Sequence, residues 1–158
     1  MRRLFIIRKD LHLSSGKLSA MIGHCCEAYW TNLLKQSYKE ATDNGLSDGY
    51  GDNFVGFPVY IDCEIWNEYV NGIFTKTICE GKNRNQLMKI IDLIKEHNDS
   101  CEDDKLIEGK DYGFINDKCL TELTPENEDG TTTVGIWFKP LSDDIAHKFS
   151  KKYKLYRD

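Results

Sequence analysis

Hydrophobic positions along the chain follow two periods, and their order sets the expected architecture. Leu4-Phe5-Ile6-Ile7 is a continuous apolar run between charged flanks, the pattern of a strand buried on both faces. Leu18, Met21, Ile22, Cys25 and Tyr29 then recur at three- and four-residue spacing, with Leu33 continuing the stripe. This spacing predicts a helix of about four turns with one apolar face, capped by Ser14 or Ser15. Residues 42–58 break the pattern: Gly45, Gly49, Gly51 and Gly56 lie among Asp and Asn and end at Pro58, which reads as a mobile loop or insertion. Ile65, Trp66, Tyr69 and Val70 allow a short helix, and Phe74 to Cys79 alternates as a strand. Leu87, Ile90, Ile91 and Ile94 mark a helix from about Asn85 to His97. An acidic connection leads to strands through Tyr112–Ile115 and Thr132–Phe138, and Asp143–Lys151 forms a last helix. Strands alternating with helices predict an α/β layered fold around a mainly parallel sheet. The last two strands are joined too closely for a helical crossover, so that pair is expected to be antiparallel. There is no internal repeat and no second core, so residues 1–158 are read as a single domain.

Composition narrows the class. A chain of 158 residues, 40% of them apolar, can bury roughly two-thirds of its unfolded surface without disulfide staples. No apolar run approaches the ~20 residues that span a bilayer, and the apolar stretch after Arg2-Arg3 is too short for a secretory signal. A cytoplasmic protein with no membrane partner is the expectation. Cys25, Cys26, Cys63, Cys79, Cys101 and Cys119 form no Cys-x-x-Cys pair. His24 beside Cys25-Cys26 lacks the paired ligand spacing of a zinc site, so reduced, mostly buried thiols and no metal are expected. The net charge of −5 divides unevenly: residues 1–17 carry +4, residues 139–158 carry +3, and the middle carries −12. Two basic ends on an acidic chain prompt a search for an electrostatic footprint, although they would also serve simply to solvate the termini.

The chemistry gathers after the first strand. Ligands of open α/β sheets sit outside the carboxyl ends of the strands, where Arg8 through Lys17 must lie. A glycine beside a capping serine at a helix N-terminus offers backbone N–H groups and a positive dipole end, and Lys17 adds a full charge. A Walker A phosphate loop does not fit, because Leu11 stands where Gly is needed and Leu18 follows the lysine instead of Ser or Thr.

Arg8-x-Asp10-Leu11-x-Leu13-Ser14-x-Gly16-Lys17-x-Ser19-Ala20-x-x-x-His24 resembles the opening signature of the type 2 (archaeal and eukaryotic) peptidyl-tRNA hydrolases. Ile115-Asn116-Asp117-x-x-x-Thr121 is similar to that family's Asp-Ala-Gly-x-Thr segment, and Gly130-Thr131-Thr132-Thr133-Val134 to its Gly-x-x-Thr-Val strand entry. Pro140, Asp144-Ile145 and Phe149 to Leu155 resemble its closing helix and tail, leaving residues 33–63 and 98–109 as insertions. The resemblance implies a three-layer α/β/α fold with a four-stranded mixed sheet. It also implies hydrolysis, without metal or cofactor, of the ester joining a peptide or N-blocked aminoacyl group to tRNA. Carried over by position, the catalytic set is Lys17, Asp117, Thr121 and Thr133, with Arg8, Ser15, Gly16, His24 and Lys154 in substrate binding. Taken singly, each has a plainer reading: a solvated lysine, a turn aspartate, ordinary threonines, and for His24 a histidine packed within the domain.

The chain also departs from the pattern. Met21 stands where the family carries Gln, and a thioether cannot replace an amide that donates and accepts hydrogen bonds. Lys118-Cys119-Leu120 loses a glycine, and Ser150 replaces a threonine. The alternative function is therefore a catalytically impaired tRNA- or protein-binding module on the same scaffold, and a third is an enzyme acting on another ester or amide. Exposed apolar groups such as Trp66 are compatible with a homodimer.

Overall fold

A computed structural model describes residues 1–46, 48–49 and 53–157. The apolar run forms β1 (Arg3–Arg8), whose alternation sends Leu4 and Ile6 to one face of the sheet and Phe5 and Ile7 to the other. α1 (Ser15–Asp43) packs on the second face, where Met21, Cys25 and Tyr29 meet Phe5, Ile7, Val134 and Trp137. α1 runs 29 residues, well past the predicted four turns. Its buried stripe continues through Ser37 and Ala41, which keep the helical spacing but are too small or polar to register as an apolar pattern. Residues 33–43, the start of the stretch 33–63 read as an insertion, are the C-terminal part of this helix.

In the glycine-rich stretch, β2 (Asp48–Gly49) pairs antiparallel with β3 (Val55–Gly56). Residues 47 and 50–52, on which the loop reading also falls, lie outside the described residues. A π-helical segment, Ile65–Val70, packs Ile65 and Tyr69 against the α1 face. β4 (Lys76–Gly81) leads to α2 (Arg84–Ser100), capped by the Asn83 side chain. β5 (Tyr112–Asp117), β6 (Thr132–Phe138), α3 (Asp143–Ser150) and β7 (Lys154–Leu155) complete the order. α2 and α3 bury Leu87, Ile90, Ile94, Ala146 and Phe149 against Leu4, Ile6, Ile136 and Phe138. The result is the expected three-layer α/β/α arrangement.

The sheet differs from expectation in two ways. It has five strands in the order β5-β6-β1-β4-β7, not four, because the C-terminal tail adds β7 antiparallel beside β4. It is also mainly antiparallel, with β1–β4 as its one parallel pair among the described residues. β1, β4 and β5 do share a direction, as the alternating order implied. However, β6 runs oppositely and inserts between β5 and β1, removing the second parallel pairing. Among the described residues, no helix is long and apolar enough to cross a membrane.

Candidate active site

The carboxyl ends of β1, β4 and β5 meet at one edge of the sheet, together with the start of β6 and the N-termini of α1 and α2. Lys17 stands in the first turn of α1, one turn past Ser14, whose side chain accepts from the Lys17 N–H. The Lys17 ammonium lies 2.6 Å from the Asp117 carboxylate at the end of β5, and both side chains are largely buried. The same ammonium donates to the exposed Thr121 hydroxyl at 3.4 Å. Residues 104 positions apart are thus joined through one ammonium.

Burial pushes the Asp117 carboxyl upward. The Lys17 hydrogen bond and charge, the Cys119 N–H at 2.8 Å and the nearby charge of His24 outweigh it, holding the carboxyl below its usual range. Cys119 occupies the family's glycine position with φ +56°, the left-handed backbone a glycine adopts readily. The turn that delivers an N–H to Asp117 is therefore kept, with strain, despite the lost glycine.

Thr133 is not brought to this cluster. The pairing of β5 with β6 runs Ile115↔Gly135 and then Asn116↔Thr133, so Val134 is an extra residue in β6. In a regular ladder Thr133 would face Asp117; the bulge puts Thr132 there and aligns Thr133 with Asn116. The Thr133 hydroxyl donates to the Asn116 side chain at 2.9 Å and accepts from Asn127 at 3.3 Å. Neighbouring side chains in a strand point to opposite faces, so a contact with Asn116 sets Thr133 away from Asp117. Thr132, fully buried, donates to the Thr124 carbonyl at 2.6 Å and accepts from the Glu126 N–H at 3.1 Å, anchoring the loop that carries Thr121.

The remaining candidates divide. Arg8 is buried and engaged: it holds Asp10 and Glu126 through paired hydrogen bonds and donates to the Thr133 carbonyl. The Arg8-x-Asp10 signature therefore ties the β1–α1 loop to the β5–β6 loop, and Arg84 adds a second cation 3.5 Å from Glu126. Ser15 and Gly16 are exposed in the first turn of α1, and a Cβ built on Gly16 would meet nothing within 4 Å. Packing does not demand glycine there, which leaves room for close approach of a ligand to the backbone. His24 is exposed, contrary to its reading as a histidine packed within the domain. Lys154 is exposed on β7, paired with Glu80 of β4, and makes no contact with Lys17 among the described residues.

Sequence reasoning passed over Glu122. Its carboxylate accepts from the Ser14 hydroxyl and from the Ser14 N–H at 3.2 Å, clamping the Thr121 loop to the start of α1. That hydrogen bonding holds the Glu122 carboxyl below its usual range. No local pattern marks a partner 108 residues away. The thiols are free but not mostly buried as expected: Cys25 and Cys79 are buried, Cys26, Cys101 and Cys119 are half-buried, and Cys63 is exposed.

Fold and cluster together define an α/β/α protein with a lysine, a carboxylate and a hydroxyl joined at the carboxyl edge of its sheet. The model of the peptidyl-tRNA hydrolase PTH2 family matches residues 1–156, and the chain belongs to that family. No curated protein matches the chain significantly.

Proposed function

We propose that this chain hydrolyses the ester between a peptide, or N-blocked aminoacyl group, and the 3′ end of tRNA, releasing free tRNA. The observation that carries this reading is the Lys17 ammonium held 2.6 Å from Asp117 and 3.4 Å from Thr121, in a chain of the PTH2 family. In the reaction a water oxygen adds to the ester carbonyl carbon, an oxyanion forms, and its collapse breaks the bond to the ribose oxygen, which departs with the proton that the water has lost. A carboxyl held low is a weak base, so Asp117 orients the attacking water and fixes the ammonium. The ammonium faces the carbonyl oxygen as its charge develops, a role worth about 10²–10³ in rate for a single preorganised donor. The Thr121 hydroxyl positions the water or the carbonyl. Thr133 supports the site from behind through Asn116 and Asn127. Ser15 and Gly16 are exposed at the helix start, which suits a phosphate approaching beside the Glu122 carboxylate that already holds Ser14, and a cytoplasmic setting fits such a substrate.

The test is release of the acyl-amino acid from N-blocked aminoacyl-tRNA by the wild type and Lys17→Ala. The variant is expected to be at least about a hundredfold slower; equal rates would remove Lys17 from the chemistry. A second reading, a binding module without turnover, is favoured by Met21. Its side chain is buried in the α1 core, so no amide stands one turn beyond Lys17. Saturable tRNA binding by the wild type with no release would establish that reading.

A further inference from the structure

At the opposite edge of the sheet, β1 and β4 begin with Arg3 and Lys76, which are register partners in the parallel pair. Like charges placed side by side in a sheet repel unless something lies between or over them. Arg3 is 1% exposed, yet it has no carboxylate partner among the described residues. Its guanidinium donates to three main-chain carbonyls, Phe138 at 3.0 Å, Cys26 at 2.6 Å and Cys25 at 2.7 Å. Those bonds satisfy three of its five N–H groups, and the guanidinium also lies 5.0 Å from the Phe5 ring centre and 5.8 Å from that of Tyr29, with no carboxylate among the described residues to balance its charge.

Both cations border a cavity of about 380 Å³ whose walls include Trp30, Tyr69 and Phe74 and contain no acidic residue. The absence of acid is notable in a chain whose middle carries −12. Trp30 stacks on Tyr69 with ring centroids 6.5 Å apart, and Phe74 meets Tyr69 edge-on at 6.1 Å. The Lys76 ammonium lies 5.9 Å from the Tyr69 ring centre and 6.0 Å from that of Phe74. Phe74 holds its place at the cavity mouth with φ +51°, an outlier for so bulky a side chain, and remains 53% exposed. Neither the Tyr69 hydroxyl nor the Trp30 indole N–H makes a hydrogen bond within the described residues, and neither is a fully buried atom.

An aromatic trio alone would suit an alkylammonium ion. Here two built-in cations repel such a ligand and attract an anion instead. From this juxtaposition we infer that the cavity between α1, the π-helical segment and the start of β4 binds a small organic carboxylate with an apolar or aromatic body. The ring or chain lies among Trp30, Tyr69 and Phe74, and the carboxylate faces Lys76 and Arg3. The volume is at the small end for ligand pockets, which matches one ring or a short acyl chain. The cavity is separate from the hydrolytic edge, since Cys26 on its wall lies about 13 Å along α1 from Lys17.

The experiment is calorimetric titration of the full chain with phenylacetate and N-acetylphenylalanine, each against its neutral primary amide. Quenching of tryptophan fluorescence, to which Trp30 contributes, gives an independent readout. Each acid is expected to bind at least about tenfold more tightly than its amide, and Lys76→Glu, an exposed rim substitution, to weaken the acid about tenfold. Tighter binding of phenylacetate points to a free aryl acid as the source, and tighter binding of N-acetylphenylalanine to acyl-amino acids; either supports the site. No binding up to millimolar concentration, equal binding of acid and amide, or no effect of Lys76→Glu overturns it. Because the readout is binding, the outcome is independent of whether the Lys17 edge hydrolyses anything.

Discussion

At the residue scale, the Asp117 carboxyl sits under opposing influences. Burial disfavours its charge, while Lys17, the Cys119 N–H and His24 favour it and prevail. Its folded value is therefore below the ordinary 3.8, so its charge stabilises the fold above that value and the contribution is lost as pH falls through the lowered one. Carboxyl-resolved NMR titration should give Asp117 a midpoint below 3.8, and a midpoint above it would contradict the ion pair. Cys119, one turn of chain away, holds φ +56°. Cys119→Gly removes a strain of about 1 kcal/mol, and thermal denaturation should show Tm raised by about 2–4 °C. A lowered Tm would mean that the thiol contact with Thr132, at 3.4 Å, matters more than the backbone strain. Thr121 and Thr133, alike in sequence, should separate. Thr133→Val is expected to cost about 1–2 kcal/mol of stability through its buried hydrogen bonds while changing the release rate little. Thr121→Val should do the reverse, and matched urea denaturation and release assays decide between them.

At the scale of elements, the start of α1 is held twice, by Ser14 as its cap and by Glu122 reaching across from the β5–β6 loop. Ser14→Ala should cost about 1 kcal/mol. Glu122→Ala should slow release by loosening Thr121 and should also cost stability, and in urea denaturation the double variant should lose less than the two single losses together because both remove one clamp. Additive losses would mean that the clamp is not a unit. Most elements were legible in the chain itself: the run at Leu4–Ile7 and the stripes from Leu18 and Leu87 gave β1, α1 and α2 through local period alone. The rest depends on pairing between distant segments. Nothing local says that β6 inserts between β5 and β1, that Leu155 joins the sheet, or that Val134 is a bulge residue. The same limit applied to the site. That Lys17, Asp117 and Thr121 come together was readable because their spacing resembles a known signature. Glu122, and the register that moves Thr133 behind Asp117, were not, because both arise from tertiary contacts.

On the scale of the whole molecule, acidic charge stands at both edges of the sheet. α2 starts at the edge that holds Lys17, so the acidic connection that follows it lies toward the other edge. Asp62, Asp104 and Asp111 border a cavity there, with Lys139 bridging the last two. Part of the −12 of the middle therefore stands away from the Lys17 edge, while Asp117, Glu122 and Glu126 stand at it, each engaged by a cation or by Ser14. Binding through phosphates should still weaken steeply with salt; an affinity indifferent to salt would point to an apolar protein partner instead. Under the proposed function, Lys17 and Asp117 act as one unit. The most direct test of this is single-turnover release of acyl-amino acid from N-blocked aminoacyl-tRNA by wild type, Lys17→Ala and Asp117→Asn, with tRNA affinity measured alongside. Release by the wild type and a loss of at least about a hundredfold in each variant, with binding retained, are expected. Undiminished release by either variant, or none by the wild type, would contradict this reading.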